Sequence, residues 1–290
     1  MYGTVLSVLL MGLLPVMDAP LASDVPLDTL PIASPSPLDA GTPGVSALGQ
    51  SVTASGVLVL DLQSGQLLYG RGQSARRAMG SLTKLMTAII IAENHSLDEQ
   101  VTVTREATAV EGSKAHLVAG QTYSVGDMLT ALLLPSGNDA ATALALFHSG
   151  SVAAFVQEMN MRARELGLKN TAFINPTGLD GTGQWSTPQD LAWLASFDWR
   201  IPAIRERMSM PDAVITSASG RTIALSHTHE LMHQQSPVVA GKTGTTDGAG
   251  QCLLSVVEEG DRQYLVVLLG SHERYVDMRA LLRTLGSFSL

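Results

Sequence analysis

The chain has 290 residues, 45% apolar and only 15% charged, enough length and apolar content for a sizeable core and too much for general disorder. Its formal charge of −8 leaves no basic footprint, so nucleic acid is not expected as a partner. A single cysteine, Cys252, excludes an intramolecular disulfide and argues against a cysteine-based metal site.

In chain order, the first feature is an apolar run over residues 4–17, interrupted only by Thr4 and Ser7. It is short for a membrane span but suits the apolar part of a secretory signal, and residues 1–22 are expected to be one. No Lys or Arg precedes the run, and the cleavage points near Ala19 or Ala22 lack a clean A-x-A, so a buried N-terminal helix is the alternative. Residues 23–51, rich in Pro, Ser and Asp, read as an extended linker, and residues 52–290 as one folded domain.

The domain opens with a hairpin pattern. Gly56–Asp61 alternates into a Ser64–Gly65 turn, and Gln66–Tyr69 returns. Ser81–Ala92 is a strong helix. A second, Val125–Leu134, stops at Pro135, and a third starts after Asn138. Ser151–Leu166 is an amphipathic helix. Thr187-Pro188-Gln189-Asp190 has the form of a capping box opening a helix to about Phe197. Gln251–Val257 and Gln263–Leu269 form a hairpin around Glu258–Asp261, with Cys252 a buried strand residue, and Arg274–Leu285 is a closing helix. Strands from both chain ends must then share one sheet around an inserted helical block, an α+β fold.

Three short motifs could carry chemistry. Ser81-Leu82-Thr83-Lys84 places a hydroxyl and an amine three residues apart on one helix face, with the serine in the positive field of the helix start. Its bland counterpart is a capping serine with an exposed lysine. Ser136-Gly137-Asn138 lies in a break between helices, where it is either a connector or a hydroxyl and an amide aimed into a cleft. Lys242-Thr243-Gly244, followed by Thr245, sits on a strand; a strand-edge lysine is usually a solvated charge, whereas glycine two residues on would admit a substrate backbone. Only four lysines occur in the chain, and two of them occupy these motifs.

Together and in this order, the motifs resemble those of penicillin-binding proteins and serine β-lactamases, and most closely the low-molecular-mass D-alanyl-D-alanine carboxypeptidases. Asp139-Ala140-Ala141, Asn175-Pro176-Thr177-Gly178-Leu179 and Asp247-Gly248-Ala249-Gly250 add to the likeness, which spans about residues 52–286. Two departures stand out: Ala78-Met79-Gly80 lacks the usual proline, and the 46 residues after Gly244 leave no room for the extra β-domain and membrane anchor of many relatives. The resemblance implies a β-lactamase/transpeptidase-like antiparallel sheet with an inserted helical block. It also implies a serine peptidase exported to the periplasm or cell-wall space, acting in peptidoglycan synthesis. Peptidoglycan peptides and β-lactam antibiotics are the implied partners, with no cofactor and no stable membrane anchor beyond an uncleaved signal.

In the implied mechanism Ser81 attacks the carbonyl and Lys84 is the general base. Ser136 relays the proton to the departing D-alanine, Asn138 holds the substrate amide and Lys242 attracts the terminal carboxylate. Lys242, Thr243, Gly244 and Thr245 line the binding strand, and the N–H groups of Ser81 and Thr245 form the oxyanion hole. An ordinary lysine, with a pKa near 10.4, is neutral in only about one molecule in 2,500 at pH 7, so Lys84 must be depressed by about three units. Asn175–Gly183 offers only Asp180 as a deacylation base, so trapped penicillin should hydrolyse slowly.

The runner-up is a D-Ala cross-link endopeptidase of the same fold; a β-lactamase or a penicillin-sensing module ranks lower. A zinc peptidase is the outside alternative, because His229-Glu230-Leu231-Met232-His233 matches H-E-x-x-H. Pro237 cuts any helix short there and the near third ligand is missing, so the stretch reads better as a polar surface loop, and no metal is expected.

Overall fold

The computed structural model describes residues 52–285; the expected signal peptide and linker lie outside the described residues. β1 (Gly56–Asp61) and β2 (Leu67–Arg71) form the first hairpin, with Asp61 Oδ1 accepting from the N–H groups of Gln63 and Ser64 in the turn. At the other end of the chain, β7 (Val238–Thr246), β8 (Gly250–Glu259) and β9 (Arg262–Ser271) follow one another. The pairing Glu259↔Arg262 leaves a turn of only Gly260 and Asp261, tighter than the four residues expected. The strands assemble antiparallel in the order β2-β1-β9-β8-β7, so both chain ends share one sheet, as the sequence pattern requires.

Both faces of the sheet are covered, and alternate residues face opposite ways. Leu265, Val267 and Leu269 of β9 join the core under the helical block, while Tyr264, Val266 and Leu268 join a second core. Met278, Leu281 and Leu285 of α8 (Arg274–Leu285) belong to that second core, so α8 covers the opposite face. The buried Asp277 carboxylate accepts from Thr53 N (2.7 Å), Ala54 N (2.8 Å) and Ser271 Oγ (2.6 Å), fastening the start of the domain to α8.

The inserted block is built on α1 (Lys84–Asn94), buried from Leu85 to Ile91 and apolar there apart from Thr87, as befits a central helix. The helix expected from Ser81 divides: Gly80–Thr83 is a tighter 3₁₀ turn and α1 starts at Lys84. α2 (Arg105–Thr108) is a single turn, and α3 (Val125–Leu133) is capped by Ser124 Oγ on Asp127 N–H. α4 (Asn138–Ser149) begins at Asn138 rather than after it, because Gly137 is the cap. α5 (Val152–Glu165) and α6 (Pro188–Arg200) follow. In α6 Thr187 caps Asp190 N–H and proline takes the first turn, as expected, but the helix runs three residues past Phe197. α7 (Pro202–Met208) completes the block. Two short ribbons were not anticipated: β3 (Gln100–Thr102) with β4 (Thr122–Ser124), and β5 (Asp212–Thr216) with β6 (Thr222–Ser226).

Candidate active site

The three motifs converge where the helical block meets the edge strand β7. Ser81 sits part-exposed on the 3₁₀ turn, and Lys84, one turn on, is fully buried. The Lys84 ammonium nitrogen Nζ reaches Ser81 Oγ at 2.9 Å, Asn138 Oδ1 at 2.7 Å and the Thr177 carbonyl at 2.6 Å. All three are neutral acceptors. The nearest carboxylate influence, Asp139, is occupied by the N–H groups of Ala115, Leu117 and Ala140. Burial therefore dominates over the opposing pull of Asp139 and brings the Lys84 pKa down to about 7.

Ser136 occupies the break between α3 and α4 with φ of +61°, an uncommon conformation for a residue with a side chain. Asn138, at the start of α4, receives Lys84 on Oδ1 and donates Nδ2–H to the Glu111 carbonyl at 2.6 Å. Its amide thus positions the lysine, besides any contact with substrate.

Lys242 is not a solvated edge charge. It is fully buried in β7, its Nζ 2.6 Å from Ser136 Oγ and 3.0 Å from the Thr243 carbonyl. Burial first, then Lys84 and Arg274, hold its pKa well below the ordinary lysine range. Thr243 bonds Thr228 through Oγ1, and Thr245 is exposed. Gly244 is where β7 meets the Ser81 turn: a Cβ there would lie 2.9 Å from the Met79 carbonyl and 3.1 Å from Ser81 N. This close approach sets the backbones of Ser81 and Thr245 side by side, the arrangement a pair of oxyanion donors needs.

Two contributors escaped the motif reading, and Asp180, weighed there as a deacylation base, has another role. Arg274 opens α8 and donates from Nη1 to the Gly244 carbonyl (2.9 Å) and Thr245 Oγ1 (2.8 Å). A cation at a helix start opposes the helix dipole, and that misplacement is the signal that could have marked it. The Thr177 carbonyl completes the lysine's acceptors. Asp180 accepts from Thr246 Oγ1 (2.6 Å) and Gly248 N (2.7 Å), so the one acid of the 175–183 loop braces the β7–β8 turn.

The H-E-x-x-H stretch takes another form. Glu230–His233 is a 3₁₀ turn, and the histidine rings serve separate partners, His229 Nε2 on Ser255 Oγ (2.8 Å) and His233 Nε2 on the His227 carbonyl (2.8 Å). Among the described residues no three His, Cys, Asp or Glu side chains gather to hold a metal. Nor is the stretch simply a polar surface loop, since His229 and Leu231 are buried. Cys252 is buried as expected, its thiol pushed up to about 11 by burial.

The family model for D-alanyl-D-alanine carboxypeptidase matches residues 43–273. The D-alanyl-D-alanine carboxypeptidase DacF of Bacillus subtilis is 32% identical over 223 residues, 75% of this chain and 57% of that protein, so the chain spans little more than half of that relative's length. A D-alanyl-D-alanine endopeptidase of Pseudomonas aeruginosa is 33% identical over 77% of this chain and 71% of its own. Among solved structures, a Streptomyces K15 DD-transpeptidase mutant superposes with a TM-score of 0.77 at 28% identity, covering 82% of this chain and 99% of that one.

Proposed function

The chain belongs to the D-alanyl-D-alanine carboxypeptidase family, and from that premise and the site geometry we propose that it removes the terminal D-alanine of peptidoglycan stem peptides through an acyl-enzyme on Ser81. The observation that carries the proposal is the Lys84–Ser81 contact at 2.9 Å on a lysine whose pKa is brought to about 7. About half of such lysines are neutral at pH 7, which makes Lys84 a usable base.

Neutral Lys84 takes the Ser81 proton as Oγ attacks the carbonyl of the penultimate D-alanine. The oxyanion is received by the Ser81 and Thr245 N–H groups. As the C–N bond breaks, the proton taken by Lys84 is relayed through Ser136 Oγ, held by Lys242, to the departing amine. Water then attacks the ester, giving its proton to neutral Lys84, which returns it to Ser81 Oγ as the acid product leaves. The carboxylate of the leaving D-alanine is better matched by Arg274 than by Lys242, the expected anchor. The guanidinium stays charged beside Thr245, whereas the Lys242 amine is buried and given to Ser136. A free-carboxylate anchor favours the carboxypeptidase over the endopeptidase, whose substrate need not end at the scissile residue. The commitment of Asp180 to the β7–β8 turn supports slow release of trapped β-lactam. The apolar run at residues 4–17 supports export and action outside the cytoplasm.

The test is intact mass after benzylpenicillin together with D-alanine release from a D-Ala-D-Ala peptide. One persistent adduct, lost in Ser81→Ala, and stoichiometric D-alanine are expected; an adduct that survives Ser81→Ala overturns the assignment.

A further inference from the structure

We propose that His227 is a positioning residue for this reaction: with Thr228 it forms a strap that sets the spacing between the Ser136 wall and the Lys242 wall of the cleft. The inference rests on the roles given above to Ser136 and Lys242. Those walls come from different parts of the chain, the break after α3 and the edge strand β7. The Lys242–Ser136 hydrogen bond of 2.6 Å crosses between them. Ser136 is in the left-handed backbone region, so its place depends on what its neighbours grip.

The strap grips both sides. Thr228 N–H donates to the Leu134 carbonyl at 3.0 Å, two residues before Ser136. On the other side, Thr228 Oγ1 lies 2.5 Å from Thr243 Oγ1, and His227 Nε2 lies 3.1 Å from the Gly241 carbonyl, the residue before Lys242. The His227 ring has one arrangement that satisfies its partners. Nδ1 accepts the His229 N–H at 3.0 Å, so it must carry a lone pair, and Nε2 must carry the proton it gives to a carbonyl that can only accept. Burial, and then the neighbouring Lys242, lower the His227 pKa to about 3, which keeps this neutral form through the working range.

The strap is itself held from behind. His229 packs over Gly241, where a Cβ would fall 2.5 Å from the ring, and bonds Ser255 on β8 at 2.8 Å. Tyr275, next to Arg274, donates to the Thr228 carbonyl (3.0 Å) and accepts the Glu230 N–H (2.9 Å). One segment thus ties the second motif, the third motif and α8 into a single register.

The consequence is specific to proton delivery. A departing amine must be protonated through Ser136, whereas a departing thiolate need not be, so a loosened strap should harm amide cleavage more than thioester cleavage. The experiment compares His227→Leu, His227→Gln and Thr228→Val on a D-Ala-D-Ala peptide and on the matching thioester. His227→Leu removes both ring hydrogen bonds and should lower kcat on the amide roughly 3–10-fold, the range one or two lost hydrogen bonds give, with the thioester falling less than about twofold. His227→Gln keeps a donor for the Gly241 carbonyl and should recover much of the loss. Thr228→Val is a surface change that leaves the buried ring in place, so it reports if His227→Leu does not fold, and it should show the same amide-selective loss. Equal losses on both substrates, or none, in the variants that fold overturn the strap. Failure of the unaltered enzyme to acylate at Ser81 would instead defeat the functional reading beneath it.

Discussion

In the cleft, Lys84 is fully buried and its Nζ still meets three neutral acceptors within 2.9 Å. In the helical block, Asp198 on α6 is as deeply buried, and among the described residues neither carboxylate oxygen has a hydrogen-bond partner. Both groups are driven towards neutrality by desolvation, the lysine pKa downward and the aspartate pKa well upward, with Glu93 adding to the second. The outcomes differ because of the partners. The ammonium donates to all three; the neutral amine keeps its two donations to Asn138 Oδ1 and the Thr177 carbonyl and accepts from Ser81 O–H, so the lysine can lose and regain a proton without moving. Among the described residues nothing holds the aspartate or exchanges a proton with it, so its burial is a cost in stability alone.

The largest way to break this contrast is to remove the cleft's chemistry. Lys84→Met should leave folding intact and lower the acylation rate by roughly 10²–10⁴-fold, the usual worth of a positioned base. Ser81→Ala should abolish the penicillin adduct altogether; stopped-flow and intact-mass measurements check both.

The second effect is in pH. The working form is the unprotonated amine, so kcat/KM should be level above about pH 7 and fall about tenfold for each unit below it. A profile flat down to pH 5 would mean that Lys84 is not the base.

Carboxylate recognition comes third. Arg274→Leu, or capping D-Ala-D-Ala as its C-terminal amide, should each lower kcat/KM roughly 10–150-fold, the worth of one charge-assisted hydrogen bond in a desolvated cleft. The two changes together should cost little more than either. Full additivity would place the carboxylate elsewhere, with Lys242 the next candidate.

Much of this site is legible without coordinates, and the reason is local. Ser81 and Lys84 are three residues apart, Ser136-Gly137-Asn138 is contiguous, and the capping of α6 by Thr187 is a short-range bond. What escapes is long-range or weakly patterned. The β5–β6 ribbon mixes polar residues with Val214 and Ala224 on its outer face, so its strands lack a clear alternation of apolar and polar residues. The 3₁₀ turn under Ser81 depends on Gly80 and on β7 arriving beside it, which propensity over Ser81–Ala92 does not encode. His229 is read as part of a polar loop because its partner, Ser255, is 26 residues away. Lys242 is read as the carboxylate anchor because its partner, the Ser136 hydroxyl, is 106 residues away.

The smallest effect tests the other half of the contrast. Asp198 has a folded-state pKa raised above its unfolded value near 3.8, so its penalty is absent below that pH and grows as pH rises through the interval between the two. Asp198→Leu, similar in size, should stabilise the protein by about 1–3 kcal/mol at pH 7 and by less near pH 4. Urea denaturation at both values measures it. A destabilised variant at neutral pH would show that the carboxyl has a partner after all.

Catalysis requires that Lys84 be neutral when Ser81 attacks, and with only four lysines in the chain its charge state is directly observable. With ¹³Cε-labelled lysine, Lys84→Met identifies its resonance and NMR follows its titration. One resonance with a midpoint near pH 7, absent from the variant, is the predicted result. If the Lys84 resonance instead titrates above about pH 9, in the ordinary lysine range, the amine is charged at neutral pH and the account of catalysis is wrong.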